Sequence, residues 1–154
     1  MMIISISEQK LYHRRRTGVC ITYPISTAKK GYGNQEGSWQ TPLGKHRVYQ
    51  KIGHEHAINS AFRARKHVGL YDSKISDPNK DWILSRILWL EGMQLGVNKR
   101  GKVDTKQRYI YIHGTHEEHR LGQAASCGCI RMANQDVIDL FKHCFKGESV
   151  LIRL

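Results

Sequence analysis

The chain has 154 residues, 40% of them apolar and 25% charged, which bounds it to one domain with a sizeable core. It contains no 18-residue apolar run, so no membrane span is expected. Its net charge of +12 favours anionic partners within a screening length of about 8 Å, yet aromatic RNA-binding motifs are absent and no nucleic acid is expected.

In chain order, "MIISISE" alternates apolar and polar residues and "KLYHRR" follows a short break, which predicts a hairpin. The basic run His13 to Arg16 then reads as its solvated neighbouring tip. "GVCITYPIST" is β-rich, with Pro24 pointing to an edge or bulge. "KKGYGNQEGSWQTPLGKHRV" is punctuated by Gly31, Gly33, Gly37, Pro42 and Gly44 and reads as loop, left by the strand "HRVYQKIG". Residues 54–80 are polar and poorly periodic, a long irregular excursion of the kind that forms functional or mobile loops. "WILSRILWLEG" fits either a buried strand or a short helix. "RYIYIHG" predicts a strand with Tyr109 and Tyr111 on one face and Ile110 and Ile112 on the other. One α-helix is expected over about 134–146, with Asn134 as N-cap and an apolar stripe of Val137, Leu140, Phe141, Cys144 and Phe145. "ESVLIRL" supplies the last strand. The whole is mostly β, a single domain over residues 1–154.

The N-terminal segment lacks the charge order and cleavage site of a signal peptide. The expected localisation is therefore cytoplasmic, or periplasmic had a leader been removed. Cys20, Cys127, Cys129 and Cys144 match no zinc-ribbon or zinc-finger spacing and are too few for a disulfide scaffold of this length. Reduced thiols fit better, and one of them is free for catalysis.

The stretch "IHGTHEEHRLGQAASCGCIRMAN" concentrates the chemistry. Gly128 directly before Cys129 allows a sharp turn and close approach of a carbonyl, and successive N–H groups at such a turn can form an oxyanion hole. A free thiol is only a few per cent ionised at neutral pH, so a nucleophilic cysteine needs a base. His113, ending a strand, is the best-placed partner. Each residue also has an ordinary reading: buried cysteines are usually inert, and a strand-end histidine usually makes one hydrogen bond. His116 and His119 stand at i, i+3 in "HEEH", which is not a zincin motif. A solvated loop or substrate contact is preferred there to a metal site.

"IHGT", followed by "SCGCIRM" from residue 126, resembles the active-site signature of the L,D-transpeptidase catalytic domain, the YkuD-like family. The Gly-rich segment ending in "TPLG" and the run "SRILWLEG" are also similar to that family, and the resemblance spans about residues 3–154. It implies a β-sandwich with Cys129 as nucleophile and His113 as general base. The Gly114 carbonyl would orient the ring, and the N–H of Gly128 would hold the oxyanion. Arg131, two residues beyond Cys129 on an extended backbone, shares its face. Its guanidinium suits a bidentate grip on a substrate carboxylate or, alternatively, a structural bond to nearby carbonyls. Ser126 and Thr115 join it as expected substrate contacts. No cofactor or metal is implied. Cys127 stands where many members carry histidine, and "CGC" also admits a thiol–disulfide reading.

Enzymes of this family act on peptidoglycan stem peptides. The resemblance thus implies attack on the L,D bond to a terminal D-alanine and a thioester intermediate. Water resolving it gives L,D-carboxypeptidase action on stem peptides or muropeptides, the reading the expected compartment favours. An amine resolving it gives the alternative, transpeptidase crosslinking. A basic, non-catalytic module for nucleic acid or another anionic polymer is the remote alternative.

Overall fold

The computed structural model describes all 154 residues. Its strands are β1 (Met2–Ser5), β2 (Lys10–Arg14), β3 (Cys20–Ser26), β4 (Gly44–Ile52), β5 (Ser60–Arg63), β6 (Lys66–Leu70), β7 (Ile83–Gly92), β8 (Tyr111–Gly114), β9 (Ile130–Met132) and β10 (Ser149–Arg153). One helix, α1 (Asn134–His143), and two short 3-10 turns complete the chain. The sheet runs β4-β10-β1-β2-β3-β9-β8-β7-β5-β6, and a further β4–β7 pairing closes a ring from which the β5–β6 hairpin hangs. The expected sandwich therefore has its facing edges joined by hydrogen bonds, which leaves few open strand edges. The pairs β1/β10 and β8/β9 are parallel.

Alternation sorts the residues. Ile4, Leu11, Ile25, Val48, Leu88, Leu90, Ile112, Ile130, Met132 and Ile152 turn into one core, where Val137, Leu140, Phe141 and Cys144 of α1 join them. Each fully buried aliphatic side chain contributes about 1.5–3 kcal/mol. The other face of β7, β8 and β9 carries Ile87, Tyr111 and Cys129, covered by Phe62 of the β5–β6 hairpin. That outer face carries the motif's Cys129, His113 and Arg131.

Several expectations need correction. The 54–80 excursion contains the β5–β6 hairpin. Its turn, Ala64 and Arg65, has φ of 46° and 65°, a left-handed pair normally built from Asn and Gly, so it carries no turn signature. "WILSRILWLEG" is a strand; Ser85, at φ 69°, forms the irregularity where its pairing with β8 shifts register. β8 begins only at Tyr111, because Tyr109 sits at φ 54° and leaves the alternation. His13 is fully buried in β2 rather than solvated. The helix ends at His143, and Phe145 lies beyond it, exposed. Asn134 is not its cap: that position is Ala133, and the Asn134 side chain is turned to the site instead. Pro24 fits because the Ile25 N–H donates toward β2, to Gln9, so the proline nitrogen faces the side where β9 pairs only with Ile25 and Ser26.

Buried His13 is paired with Glu148, whose Oε2 accepts from Nε2 at 2.8 Å. Burial pushes the Glu148 carboxyl up, but the bonds and charges of His13 and the N-terminal ammonium together outweigh it and hold the pKa below the ordinary value. A depressed carboxyl stabilises the fold above its unfolded pKa and loses that contribution as pH falls through the folded one. Glu148→Gln is expected to cost about 1–3 kcal/mol at pH 7. Thermal melts should show the gap to wild type closing as the solution is acidified through the carboxylate range.

Candidate active site

Cys129 closes the turn that enters β9. Ser126 braces it: its hydroxyl donates to the Cys129 carbonyl at 2.6 Å and accepts the Gly128 N–H at 3.2 Å. From the Gly-rich loop, the Thr41 hydroxyl donates to the Gly128 carbonyl at 3.0 Å. Gly128 has φ +133°, open only to glycine, whereas the space around a Cβ there is ordinary. The Gly128 N–H is thus engaged by Ser126, and the Cys129 N–H is the amide without an acceptor in the chain.

The Cys129 thiol is half-buried. Its Sγ accepts the Tyr111 N–H at 3.3 Å and faces the Tyr109 carbonyl at 3.5 Å. Burial pushes its pKa up to about 12; the Tyr111 N–H opposes this and Asp81 adds to it. The resting group is therefore a neutral thiol.

His113 is fully buried on β8. Gly114 O accepts from Nδ1 at 2.6 Å, which fixes the tautomer, because a carbonyl only accepts. Nε2 then carries a bare lone pair, and it has no partner. An unsatisfied buried acceptor costs about 1–3 kcal/mol, and this one leaves a base free to take a proton. Burial lowers the His113 pKa, Asp81 and the Gly114 carbonyl raise it, and Arg131 lowers it again; the net is a depression that keeps the ring neutral. Gly114 is required by space: a Cβ would meet Asn134 Oδ1 at 2.4 Å and the Leu84 carbonyl at 2.7 Å.

Register places His113 opposite Arg131 on the parallel pair β8/β9. Cys129, two residues before Arg131, lies diagonally across on the same outer face. Thiol and imidazole are not bonded in the resting rotamer, since Sγ is held by the Tyr109–Tyr111 backbone. For the two to react Sγ must turn toward Nε2, and resting sites commonly tighten in this way on binding substrate.

The structure thus brings Cys129, His113 and Arg131 to one face, sets the Gly114 carbonyl on the His113 ring, and gives Arg131, Ser126 and Thr115 partners within the chain. Arg131 is 4% exposed; Nη2 donates to Asp81 at 2.7 Å and Nη1 to Glu117 at 3.0 Å. It is a structural donor, to carboxylates rather than carbonyls, and its fork is not open to a substrate. Ser126 is a brace. Thr115 is buried, its hydroxyl accepting the Glu117 N–H. His116 bonds the Pro78 carbonyl, and no group of three His, Cys, Asp or Glu side chains is placed to hold a metal.

Sequence reasoning missed Asp81 and Glu117, whose partnership with Arg131 spans distant segments, and Asn134. The Asn134 amide accepts from Ser85 and donates to the Thr115 carbonyl and Glu118, pinning the end of β8. Two cavities flank the motif. One of about 760 Å³ starts at Thr115 and includes neither Cys129 nor His113. The smaller, about 290 Å³, also lacks Cys129 and His113 in its lining but reaches the motif at Cys127, and is walled by Trp39, Arg108 and Tyr109.

The family model described as "L,D-transpeptidase catalytic domain" (YkuD) matches residues 1–152. The chain belongs to this family. Among curated proteins, YqjB of Bacillus subtilis (strain 168) is 41% identical over 58 residues, covering 38% of this chain and 31% of that protein. YkuD of the same organism is 48% identical over 48 residues, covering 31% of this chain and 29% of that protein. The L,D-transpeptidase from Mycobacterium smegmatis superposes with a TM-score of 0.58 at 14% identity, over 99% of this chain and 58% of that one. L,D-transpeptidase 3 from Mycobacterium tuberculosis gives 0.58 at 17% identity, over 99% and 60%. The chain therefore spans less than a third of the matched curated proteins and under two thirds of these structures. At such identities the structures establish the shared fold, mostly β with a single helix, as the transpeptidase-family signature implied.

Proposed function

We propose that the protein cleaves the L,D bond between the diamino acid and the terminal D-alanine of a peptidoglycan stem tetrapeptide, through a thioester on Cys129, and that water resolves the thioester. The observation that carries the chemistry is the orphaned Nε2 of His113, buried on the same face as a neutral thiol.

In this reaction His113 Nε2 takes the thiol proton as Sγ attacks the carbonyl carbon. The negative charge passes to the carbonyl oxygen, where the free Cys129 N–H is the donor at hand. Collapse breaks the C–N bond, His113 returns the proton to the departing amine, and D-alanine leaves. A water, deprotonated by the same nitrogen, then displaces the sulfur, restoring the thiol and releasing the tripeptide.

Support for hydrolysis comes from the size of the cavity at Cys127. An acceptor must enter where the leaving amine departed, and about 290 Å³ is at the small end of ligand pockets. It accommodates one amino-acid residue more readily than a second stem peptide. Transpeptidation is the competing reading, favoured by the name of the family. Purified protein given disaccharide tetrapeptide, with and without an added D-amino acid, distinguishes the two by mass spectrometry. Tripeptide and free D-alanine are the expected products. Crosslinked dimer or amino-acid exchange in place of tripeptide would establish transfer, and an inert substrate would overturn both.

A further inference from the structure

Arg131 is closed off by two acids, yet an enzyme that removes one terminal residue must recognise that residue's free carboxylate. A second guanidinium stands near the nucleophile turn. Arg108, half-buried, lines the cavity that reaches Cys127. Its three bonds all go to neutral oxygens: the Gly33 carbonyl at 3.2 Å, the Ser38 hydroxyl at 3.3 Å and the Gln40 carbonyl at 2.6 Å. No carboxylate pairs with it. Glu36, the one acid in the cavity wall, is exposed and makes no ion pair. A partly desolvated cation without a counter-ion is costly unless a ligand supplies one.

The position also suits. The Gln40 carbonyl that Arg108 holds lies 3.5 Å from where a Cβ on Gly128 would stand, so the guanidinium is one short step from the nucleophile turn. In a peptide ending in D-alanine, the carboxylate is a single residue from the scissile carbonyl, a reach of about 3.5 Å. The charge is felt locally: burial lowers the His46 pKa to about 4, and Arg108 adds to that lowering. Burial likewise lowers Arg108 itself, while the Cys129 site opposes the fall. Trp39 and Tyr109 on the cavity rim have φ of 61° and 54°, conformations rare for large side chains and characteristic of functional sites.

We infer that Arg108 binds the α-carboxylate of the departing D-amino acid, making the enzyme selective for peptides whose terminal carboxyl is free. The inference rests on the L,D-cleavage reading above. Its gain comes from charge-assisted bonding through the guanidinium N–H groups that Gly33, Ser38 and Gln40 leave free.

The test uses two stem tetrapeptides that differ only at the C-terminus, one a free acid and the other an amide. Wild-type kcat/KM is expected to favour the acid by about tenfold to a hundredfold, the scale of a hydrogen bond to a charged group. Arg108→Gln should bring that ratio close to one, with Arg108→Lys between the two. An equal fall on both peptides means that Arg108 only props the 33–40 loop, and overturns the inference. So does a wild-type enzyme that cleaves acid and amide alike, a result needing no variant to fold. Cleavage of neither peptide by wild type sinks the functional reading itself and is distinguishable from both.

Discussion

Cys129→Ala is expected to abolish D-alanine release, with a loss of about 10⁶ in kcat, and His113→Gln to lower it by about 10²–10⁴. The two effects should not add, because the residues act as one unit. The pH dependence separates this site from a preformed thiolate–imidazolium pair. Burial holds the thiol up at about 12 and the imidazole below its ordinary value. Both groups are therefore neutral at pH 7, and the competent form is neutral imidazole with protonated thiol. Its population falls only when acid protonates His113, below the ordinary histidine range, and only when the thiol ionises, near pH 12. kcat/KM should accordingly stay flat from neutral pH into the alkaline region. Iodoacetamide reacts with thiolate alone, so its rate at Cys129, followed by peptide mass spectrometry, should climb about tenfold per pH unit with no plateau through pH 9. A plateau near neutrality would show a standing ion pair and refute this account of the resting state.

Much of the site was legible because its parts are local or periodic. Alternation along "YIHG" and "CIRM" places His113 and Arg131 on one face and Ile112, Ile130 and Met132 on the other, and the structure keeps that division. Glycine before cysteine and glycine after histidine are each needed, one for its backbone angle and the other for space. What stayed hidden depends on pairings between distant segments. Nothing near Arg131 in sequence announces Asp81, fifty residues upstream. Asn134 has the residue type of a helix cap, but a tertiary partner, the Thr115 carbonyl, claims its amide. The β5–β6 hairpin escaped notice because its turn uses Ala64 and Arg65 in left-handed conformations that sequence rules reserve for other residues. Arg65 is held there by what lies beneath it: its guanidinium stacks 4.8 Å from the Trp89 ring and donates to the Tyr111 hydroxyl. Tertiary contact, not local propensity, sets that turn.

Arg131→Met is expected to act on stability and on chemistry at once. The buried guanidinium neutralises Asp81 and Glu117, whose side chains are 38% and 24% exposed. Breaking a fully buried pair costs about 3–5 kcal/mol, because the remaining charge is stranded. Here water reaches both acids and screens them, which reduces the expected loss to about 2–3 kcal/mol, a fall in melting temperature of roughly 5–10 °C for a chain of this length. The chemical effect follows from the same charges. Arg131 helps keep the His113 pKa low, and Asp81 pulls it the other way. Removing the guanidinium deletes the first influence and unmasks the second, so His113 holds its proton to higher pH. The acid limb of kcat/KM should then move toward neutrality, while the alkaline side, governed by the thiol, moves little. A melting temperature within a degree of wild type would contradict the buried ion network. A lower melting temperature with an unmoved acid limb would mean that Arg131 supports the fold without tuning the base.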